Sequence, residues 1–268
     1  MSVIIVSRGS YSRGKVVAEK VAAFLGYECF SREIILEASE LFNIPEVKLV
    51  RAIHDAPSVL DRFRYGRERF IAFFRAALLQ NLRRDNVVYH GLAGHFFVQN
   101  IPHVLKVRIT ADLEDRIREE MRRENISAEE AREILVKDDA ERRKWGLNVH
   151  GVDTWDSRLY DLVLNVSGMD VDDAASIVLH AVQRPCFQST ERSRQLLDDL
   201  ALGAQVEAAL VKDFPKVKAH AKSGEVFVSI RASLIEEGSI TRKVEQAAGN
   251  IPGVRLIRVN IVPFLFED

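Results

Sequence analysis

Residues 3–16 read VIIVSRGSYSRGKV and carry the strongest structural signal in the chain. Four consecutive β-branched residues predict a buried strand of a parallel sheet. The two glycines bracket a loop, and the lysine opens a segment of helical spacing that ends at Gly26. This order is typical of a phosphate-binding loop, because backbone N–H groups, a helix N-terminus and an ammonium group all attract anions. We therefore predict a nucleotide-binding loop that consists of Gly9, Ser10, Tyr11, Ser12, Arg13, Gly14, Lys15 and Val16.

The loop fits the pattern G-x-x-x-x-G-K-[ST] except at its last position. Gly9 and Gly14 permit the backbone turn, and Lys15 is spaced to reach the β- and γ-phosphates of ATP. Val16 stands where a hydroxyl group would normally bind Mg²⁺, and valine cannot coordinate a metal. We therefore expect ATP as the ligand, with any Mg²⁺ held by phosphate oxygens and water. The alternative is that a hydroxyl group of Ser10 or Ser12 substitutes for the missing one.

The bulk composition excludes several classes of protein. The 268 residues include 38 Lys and Arg against 39 Asp and Glu, a formal net charge of −1. This balance offers no overall attraction to nucleic acid or anionic membrane, so we do not expect nucleic acid as a partner unless a local patch provides it. Cys29 and Cys186 lack metal-ligand spacing, which favours two reduced thiols. No apolar run approaches the ~18 residues of a membrane span, and we expect a cytoplasmic protein.

Further strand patterns at residues 86–90, 104–109 and 159–165 alternate with helical patterns. This alternation predicts an open parallel sheet of the α/β class. One helix has a clear beginning, because Ser127 and Glu130 form a capping-box pattern ahead of a charged segment that runs to about Lys144.

Phenylalanines and arginines are interleaved at helical spacing between Leu60 and Leu82, most densely at residues 62–75. Aromatic and basic residues together could bind nucleic acid by stacking and phosphate contacts. They could also line a monophosphate cleft. Helical spacing is more typical of an apolar face that is buried beneath a basic outer face, and we favour that interpretation.

The pattern changes after a proline and a polar stretch, which we interpret as a linker at residues 185–194. A helical segment follows from Leu196, then two strands at 217–221 and 226–230, a helix, and an alternating strand at 254–262. We therefore predict two domains: a P-loop α/β domain at 1–184 and a small α+β domain of order αββαβ at 195–268.

The first domain resembles the cytidylate kinase-like family of P-loop nucleoside monophosphate kinases. The resemblance is carried by the opening strand, loop and helix, by residues 27–33, by His90-Gly91-Leu92, by Tyr160-Asp161-Leu162, and by the lid-like segment 137–142. It implies helical monophosphate-binding and lid regions around the sheet. It also implies ATP-dependent phosphoryl transfer to a nucleoside monophosphate.

Residue roles follow from this resemblance. It implies that Lys15, Arg142 and Arg143 act on the transferred phosphoryl group. It implies monophosphate contacts for Arg32, His90 and Asp138.

This sequence departs from the family at His90 and Leu92, where cytidylate kinases carry an acidic residue and an arginine. Leucine cannot replace the bidentate phosphate contact of arginine. Two alternatives to an active kinase therefore stay open. One is a catalytically inactive sensor that couples ATP binding to the C-terminal domain, and the other is an interaction protein with a vestigial loop.

The second domain resembles a BON domain, through residues 223–229 and 251–254. That resemblance implies a lipid, a small ligand or a protein as the partner of the C-terminal domain.

Overall fold

The computed structural model describes residues 2–9, 13–31, 66–91 and 94–263. The predicted helices between residues 32 and 65, and the turn residues Leu92 and Ala93, lie outside this range. In chain order the described strands and helices are β1 (Val3–Arg8), α1 (Gly14–Leu25), β2 (Glu28–Phe30), α2 (Gly66–Leu82), β3 (Val87–His90), β4 (Val104–Thr110), α3 (Leu113–Glu124), α4 (Ala128–His150), β5 (Leu162–Asn165), α5 (Val171–Val182), α6 (Glu191–Leu210), β6 (Lys218–Lys222), β7 (Glu225–Arg231), α7 (Glu237–Ala248) and β8 (Leu256–Val262).

The described residues divide into two compact units, one of residues 2–31 and 84–190, the other of residues 66–83 and 191–263. The first unit is built on a parallel sheet of order β2-β3-β1-β4-β5. Strand β1 is central and its residues 3–6 are fully buried, as their β-branched run predicts. Helices α1 and α5 contribute to one apolar core with this sheet, through Val17, Val21 and Val178. The predicted open parallel α/β sheet is confirmed.

Two element boundaries in the first unit differ from the sequence prediction. Strand β5 begins at Leu162 rather than at Leu159, because residues 157–159 form a 3-10 turn that Asp156 caps. Helix α4 continues to His150, beyond the predicted end near Lys144, because the buried Trp145 extends its apolar side. The capping box is confirmed, since the Ser127 side chain accepts from the Glu130 N–H and the Glu130 carboxylate accepts from the Ser127 N–H.

The second unit contains the predicted αββαβ order. Strands β6 and β7 are antiparallel, β7 and β8 are parallel, and the sheet order is β6-β7-β8. Helices α6 and α7 cover one face of this sheet, and the apolar core between them includes Val206, Val228 and Val244. Helix α6 begins at Glu191, inside the predicted linker, where an acidic residue in the first turn favours a helix. The BON resemblance stays a prediction.

Helix α2 belongs to the second unit, although residues 66–83 fall in the range predicted for the first domain. Its contacts are with α6 and the residues just beyond it: Arg75 pairs with Glu207, Arg83 pairs with Asp198, and Arg69 donates to the Lys212 carbonyl. The predicted apolar face is buried over its described part, which comprises Phe70, Phe73, Phe74, Leu78 and Leu82. None of the described helices is both long enough and apolar enough to cross a membrane.

Glu207 connects three elements of the second unit. One carboxylate oxygen accepts from Arg75 of α2 at 2.7 Å, and the other accepts from the backbone N–H of Ala219 on the edge strand β6 at 2.9 Å. The carboxylate side chain is only 10% exposed, so water cannot replace these contacts readily.

We expect Glu207→Ala to lower the free energy of unfolding by about 3 kcal/mol, because it leaves a largely buried guanidinium and a buried N–H unpaired. Urea denaturation followed by circular dichroism measures this. Asp198→Ala is the matched control, since the Arg83–Asp198 pair also joins α2 to α6 but is exposed. It should cost about 0–1 kcal/mol. Equal losses in the two variants would contradict the role of Glu207.

Candidate functional site

The N-terminus of α1 lies at the edge of the first sheet where the strands end. The Gly9 N–H donates to the Ile109 carbonyl at 3.1 Å, which ties the start of the loop to β4. Predicted loop residues Ser10, Tyr11 and Ser12 lie outside the described residues, and the chain continues at Arg13 with a φ of +59°. The Arg13 side chain makes no capping hydrogen bond, and the first turn of α1 carries no acidic residue. The positive end of the helix is therefore not offset by a carboxylate of its own first turn.

Gly14 allows α1 to approach the sheet closely. A Cβ atom at this position would lie 2.7 Å from Cβ of Arg8 and 3.3 Å from Cβ of Ile109. Both neighbours are strand residues, whose Cβ atoms move only if the sheet backbone moves. Glycine is required here, because only a residue without a side chain lets the helix N-terminus lie against the ends of β1 and β4.

Lys15 and Val16 follow on the first turn of α1. The Lys15 side chain is 57% exposed, and its Nζ lies 3.5 Å from Oε1 of Glu19. Such an exposed pair stabilises a helix by only about 0.5 kcal/mol, so the ammonium can leave Glu19 for a phosphate at small cost. Val16 is 49% exposed and supplies no hydroxyl group at the predicted metal-ligand position.

A small cleft with a free volume of about 20 Å³ opens beside this helix end, and we call it the arginine cleft. Its walls come from the ends of β1, β3 and β4, from α4 and from the segment after it. Among the described residues, three guanidinium groups and one carboxylate line it, and together they carry a net positive charge. The lining residues are Ser7, Arg8, Gly9, Gly91, His95, Arg108, Asp139, Arg142, Thr154 and Trp155.

The hydroxyl group of Tyr160 fixes one wall of the arginine cleft. It donates to the Thr154 carbonyl at 2.9 Å, and it lies 3.2 Å from Ser7 Oγ and 3.2 Å from His95 Nε2. Arg108 donates to the same oxygen at 3.4 Å, and its guanidinium lies 5.6 Å from the centre of the tyrosine ring. Because Tyr160 donates its one hydroxyl proton to the Thr154 carbonyl, its oxygen can only accept from His95, which assigns the imidazole proton to Nε2. The network fixes the position of the Arg108 guanidinium.

His95 is held neutral in this network. Burial, together with the positive charges of Arg108, His150 and Lys106, lowers its pKa to about 3. The ring is 1% exposed and packs against Phe96 and Tyr160. A neutral imidazole adds no positive charge to the cleft and does not titrate near neutral pH.

A second cavity of about 100 Å³ adjoins the start of α1, and we call it the α3 cavity. It is strongly polar and is lined by Arg13, Ala111, Asp115, Arg116, Arg118, Glu119, Arg122, Val166 and Ser167. Arg116 of this cavity pairs with Asp139 of the arginine cleft at 2.8 Å, and both side chains are largely buried. The ion pair therefore lies between the two cavities and joins α3 to α4.

The predicted lid residues occupy different environments. Arg142 lines the arginine cleft and donates to the Arg8 carbonyl at 3.3 Å. Arg143 does not line it: the guanidinium makes a bidentate pair with Asp153 and lies 4.6 Å from the centre of the Trp155 ring. The hydrogen bonds from Arg143 hold the pKa of Asp153 below its usual range. Asp138 lines neither cavity, whereas its neighbour Asp139 lines the cleft.

The predicted monophosphate residues are brought together only in part. His90 is buried at the end of β3, opposite Val6 of β1, and the next residue, Gly91, lines the cleft. Arg32 and Leu92 lie outside the described residues.

The resemblance covers the segments that hold Arg8, Arg108 and Asp139, but the sequence analysis assigned no role to these three residues. A signal existed in β4, where Lys106 and Arg108 interrupt an otherwise apolar buried run. Charged side chains are rarely buried unless they pair or act on a ligand. Lys106 has a structural partner, since its Nζ lies 2.8 Å from Oδ2 of Asp161. Arg108 has its guanidinium at the cleft instead.

The described residues do not fit a metal site formed by the protein. Over residues 2–9, 13–31, 66–91 and 94–263, no group of three or more His, Cys, Asp or Glu side chains could hold an ion. Val16 also lacks a donor atom. We therefore assign no step of any reaction to a metal ion that is bound by the described side chains.

Comparison with known proteins identifies relatives of the first unit. Residues 3–168 match the model of the Cytidylate kinase-like family. The cytidylate kinase of Thermococcus kodakarensis is 33% identical over 104 residues, which cover 39% of this chain and 53% of that protein. The cytidylate kinase of Sulfolobus acidocaldarius is 26% identical over 187 residues, which cover 69% of this chain and 97% of that protein. The chain thus spans about half the length of the first relative and nearly all of the second.

A solved structure shares the fold. An uncharacterized protein from Eubacterium ventriosum has a TM-score of 0.52 and 18% identity, and the match covers 69% of this chain and 100% of that chain. At this identity the likeness describes the fold alone.

We expect Gly14→Ala to weaken ATP binding at least about tenfold, because the added methyl group pushes the helix N-terminus away from the strand ends. Calorimetric titration of ATP measures the affinity. Gly168→Ala is the matched control in the same unit, since a Cβ atom there meets nothing within 4 Å. Unchanged affinity in Gly14→Ala would contradict the anion site at this helix end.

We expect the free energy of unfolding to decrease as the pH is lowered from about 6.5. In that range His95 binds a proton in the unfolded chain, whereas in the folded chain its pKa of about 3 keeps it neutral. The unfolded state then binds more protons, so the free energy of unfolding falls as pH falls. His95 contributes up to about 1.4 kcal/mol per pH unit to this slope. In His95→Gln, whose amide keeps a donor near Nε2, urea denaturation between pH 5 and 7 should show a flatter slope. An identical slope would be evidence against the neutral buried imidazole.

Proposed function

The chain belongs to the cytidylate kinase-like family, and from that membership we propose that it binds ATP and transfers its γ-phosphoryl group to a nucleoside monophosphate. The sheet edge with α1 and Lys15 would hold the triphosphate, and the adjoining arginine cleft would hold the acceptor phosphate. Because the cytidylate kinase relatives are named for this activity, cytidine monophosphate is the first acceptor to test.

The observation that supports this proposal is the arginine cleft beside the helix N-terminus. Arg8, Arg108 and Arg142 line it together with the carboxylate of Asp139. Phosphoryl transfer has a transition state whose negative charge spreads over the phosphoryl oxygens, so catalysis is mostly positioning and charge stabilisation. Guanidinium groups suit both tasks, since they bind phosphate in a bidentate manner and stay protonated.

Each residue takes a role in this proposal. Lys15 neutralises the β- and γ-phosphates of ATP. Arg142, on α4, stabilises the transferring group, and Arg108 orients the acceptor phosphate. Tyr160 is a positioning residue that acts through Arg108. The polar α3 cavity, next to Arg13, is the proposed site for the nucleoside part of ATP. ATP is the proposed phosphate donor, and the cytoplasm is the proposed location of the reaction.

A second candidate function is ATP binding without turnover, with the bound state signalled to the C-terminal domain. Val16 favours it, because an exposed valine replaces the hydroxyl group that positions Mg²⁺ in related loops. So does His90, which stands in place of an acidic residue.

A coupled assay with ATP and a panel of monophosphates distinguishes the two functions. We expect turnover of at least one pyrimidine monophosphate, and Arg142→Ala should lower kcat at least about 100-fold while ATP affinity stays within about threefold. Arg132→Ala is the matched control, because Arg132 is on the same helix α4 but pairs with Glu114 at an exposed position. It should leave kcat unchanged.

Absence of turnover with every acceptor, together with calorimetric ATP binding, would exclude the kinase and leave the sensor. Lys15→Ala should weaken ATP binding under both functions, because it removes the ammonium group from the phosphates. If Lys15→Ala bound ATP as tightly as the unaltered chain, neither function would stand.

A further inference from the structure

The three-stranded sheet of the second unit has one face that none of the described helices covers. Helices α6 and α7 pack against the apolar face formed by alternate residues such as Ala219, Val228 and Val259. The intervening residues point to the other face, because successive side chains of a strand alternate. Among them, Lys218, His220, Lys222, Arg231 and Arg258 are exposed. We call this the open sheet face.

The open sheet face is basic in a chain whose formal net charge is −1. It presents Lys218 and Lys222 on β6, Arg231 on β7 and Arg258 on β8, against one carboxylate, Glu225, which pairs with Arg258. The net charge of the whole chain therefore does not reveal this local cationic surface. Such a surface attracts a polyanion over distances of about the Debye length.

Aromatic rings lie in the middle of these cations. His220 and Phe227 are directly opposite each other on β6 and β7, and their rings are stacked with centroids 4.9 Å apart and planes 8° from parallel. Arg258 is opposite Phe227 on the other side. His220, Phe227 and Arg258 thus lie in one line across the three strands. Aromatic rings and guanidinium groups can both stack on nucleobases.

We propose that the open sheet face binds single-stranded nucleic acid, with a base stacked on the His220–Phe227 pair and phosphates on the surrounding lysines and arginines. Cations that flank an aromatic platform on a sheet match the alternation of phosphates and bases along a single strand. The cations also lie along three adjacent strands, so an extended chain can contact several of them at once. This site is separate in its residues from the proposed ATP site.

A lipid surface fits the second unit less well. Its most exposed aliphatic side chains, Leu234 and Ile235, lie in the turn after β7 rather than on the open sheet face. Two carboxylates, Glu236 and Glu237, follow them immediately and would repel anionic headgroups. On the open sheet face itself, Leu256 is the exposed aliphatic residue among the described ones, which leaves little apolar surface beside the basic groups for membrane insertion.

Fluorescence anisotropy of the full chain with labelled twelve-residue oligo-U and oligo-dT tests the proposal at about 50 mM salt, where phosphate contacts are strong. We expect saturable binding of at least one strand that weakens steeply as salt rises. Phe227→Ala should weaken binding about tenfold, since loss of one stacked base costs roughly 1–3 kcal/mol. Phe227→Tyr, which keeps an aromatic ring, should restore it.

The charge contribution is tested separately. Lys218→Gln with Lys222→Gln should reduce the slope of log affinity against log salt by about 1.4, since each phosphate contact to a single strand contributes about 0.7. Arg242→Gln with Lys243→Gln is the matched control, because these two residues are exposed on α7, which covers the opposite face. This double variant should keep the original slope. Circular dichroism of each variant checks that the fold is retained.

Several outcomes would overturn the proposal. Absence of binding of either oligonucleotide would do so. So would a salt slope that the Arg242→Gln with Lys243→Gln control reduces as much as the Lys218→Gln with Lys222→Gln variant does. Displacement of the strand by saturating ATP, or loss of binding in Lys15→Ala, would assign it to the phosphate loop instead. Binding to phosphatidylglycerol vesicles that Phe227→Ala abolishes, without binding of either strand, would make the open sheet face a membrane surface.

Discussion

The close contact between the first residue of α1 and the ends of β1 and β4 is the constraint on which the candidate site depends. Only glycine at position 14 permits it, since a Cβ atom would lie 2.7 Å from that of Arg8. The contact brings the positive end of a helix to the same sheet edge as three arginines. Asp139 lies beside them and pairs with Arg116 at 2.8 Å. A phosphate bound among these arginines would add negative charge to a cationic cluster, and its binding would stabilise the fold by mass action.

Local patterns in the sequence predict the frame of this site, because each depends on neighbours along the chain. The β-branched run of β1, the glycine-flanked loop and the Ser127 capping box are all of this kind, and strands alternating with helices indicate a parallel sheet. The αββαβ order of the second unit follows from the same reasoning. Boundaries were harder to predict, as at Leu162, where a capped 3-10 turn delays the strand.

The lining of the arginine cleft could not be predicted in the same way, because it joins residues far apart in sequence. Arg8, Arg108 and Asp139 meet because β1 and β4 are neighbours and α4 passes their ends, and this follows only from topology. The same reason explains why the packing partner of α2 could not be predicted. Its apolar stripe is visible in the sequence, but its partner α6 lies more than a hundred residues away. Arg142 and Arg143 are adjacent in sequence, yet only the first lines the cleft, because Asp153 and Trp155 hold the second.

A crystal structure with a non-hydrolysable ATP analogue and cytidine monophosphate tests the central claim most directly. We expect the triphosphate at the N-terminus of α1, within hydrogen-bond distance of backbone N–H groups and of Lys15 Nζ, and the acceptor phosphate against Arg108 and Arg142. Nucleotide phosphates bound away from this sheet edge, with the arginine cleft filled only by water, would contradict it.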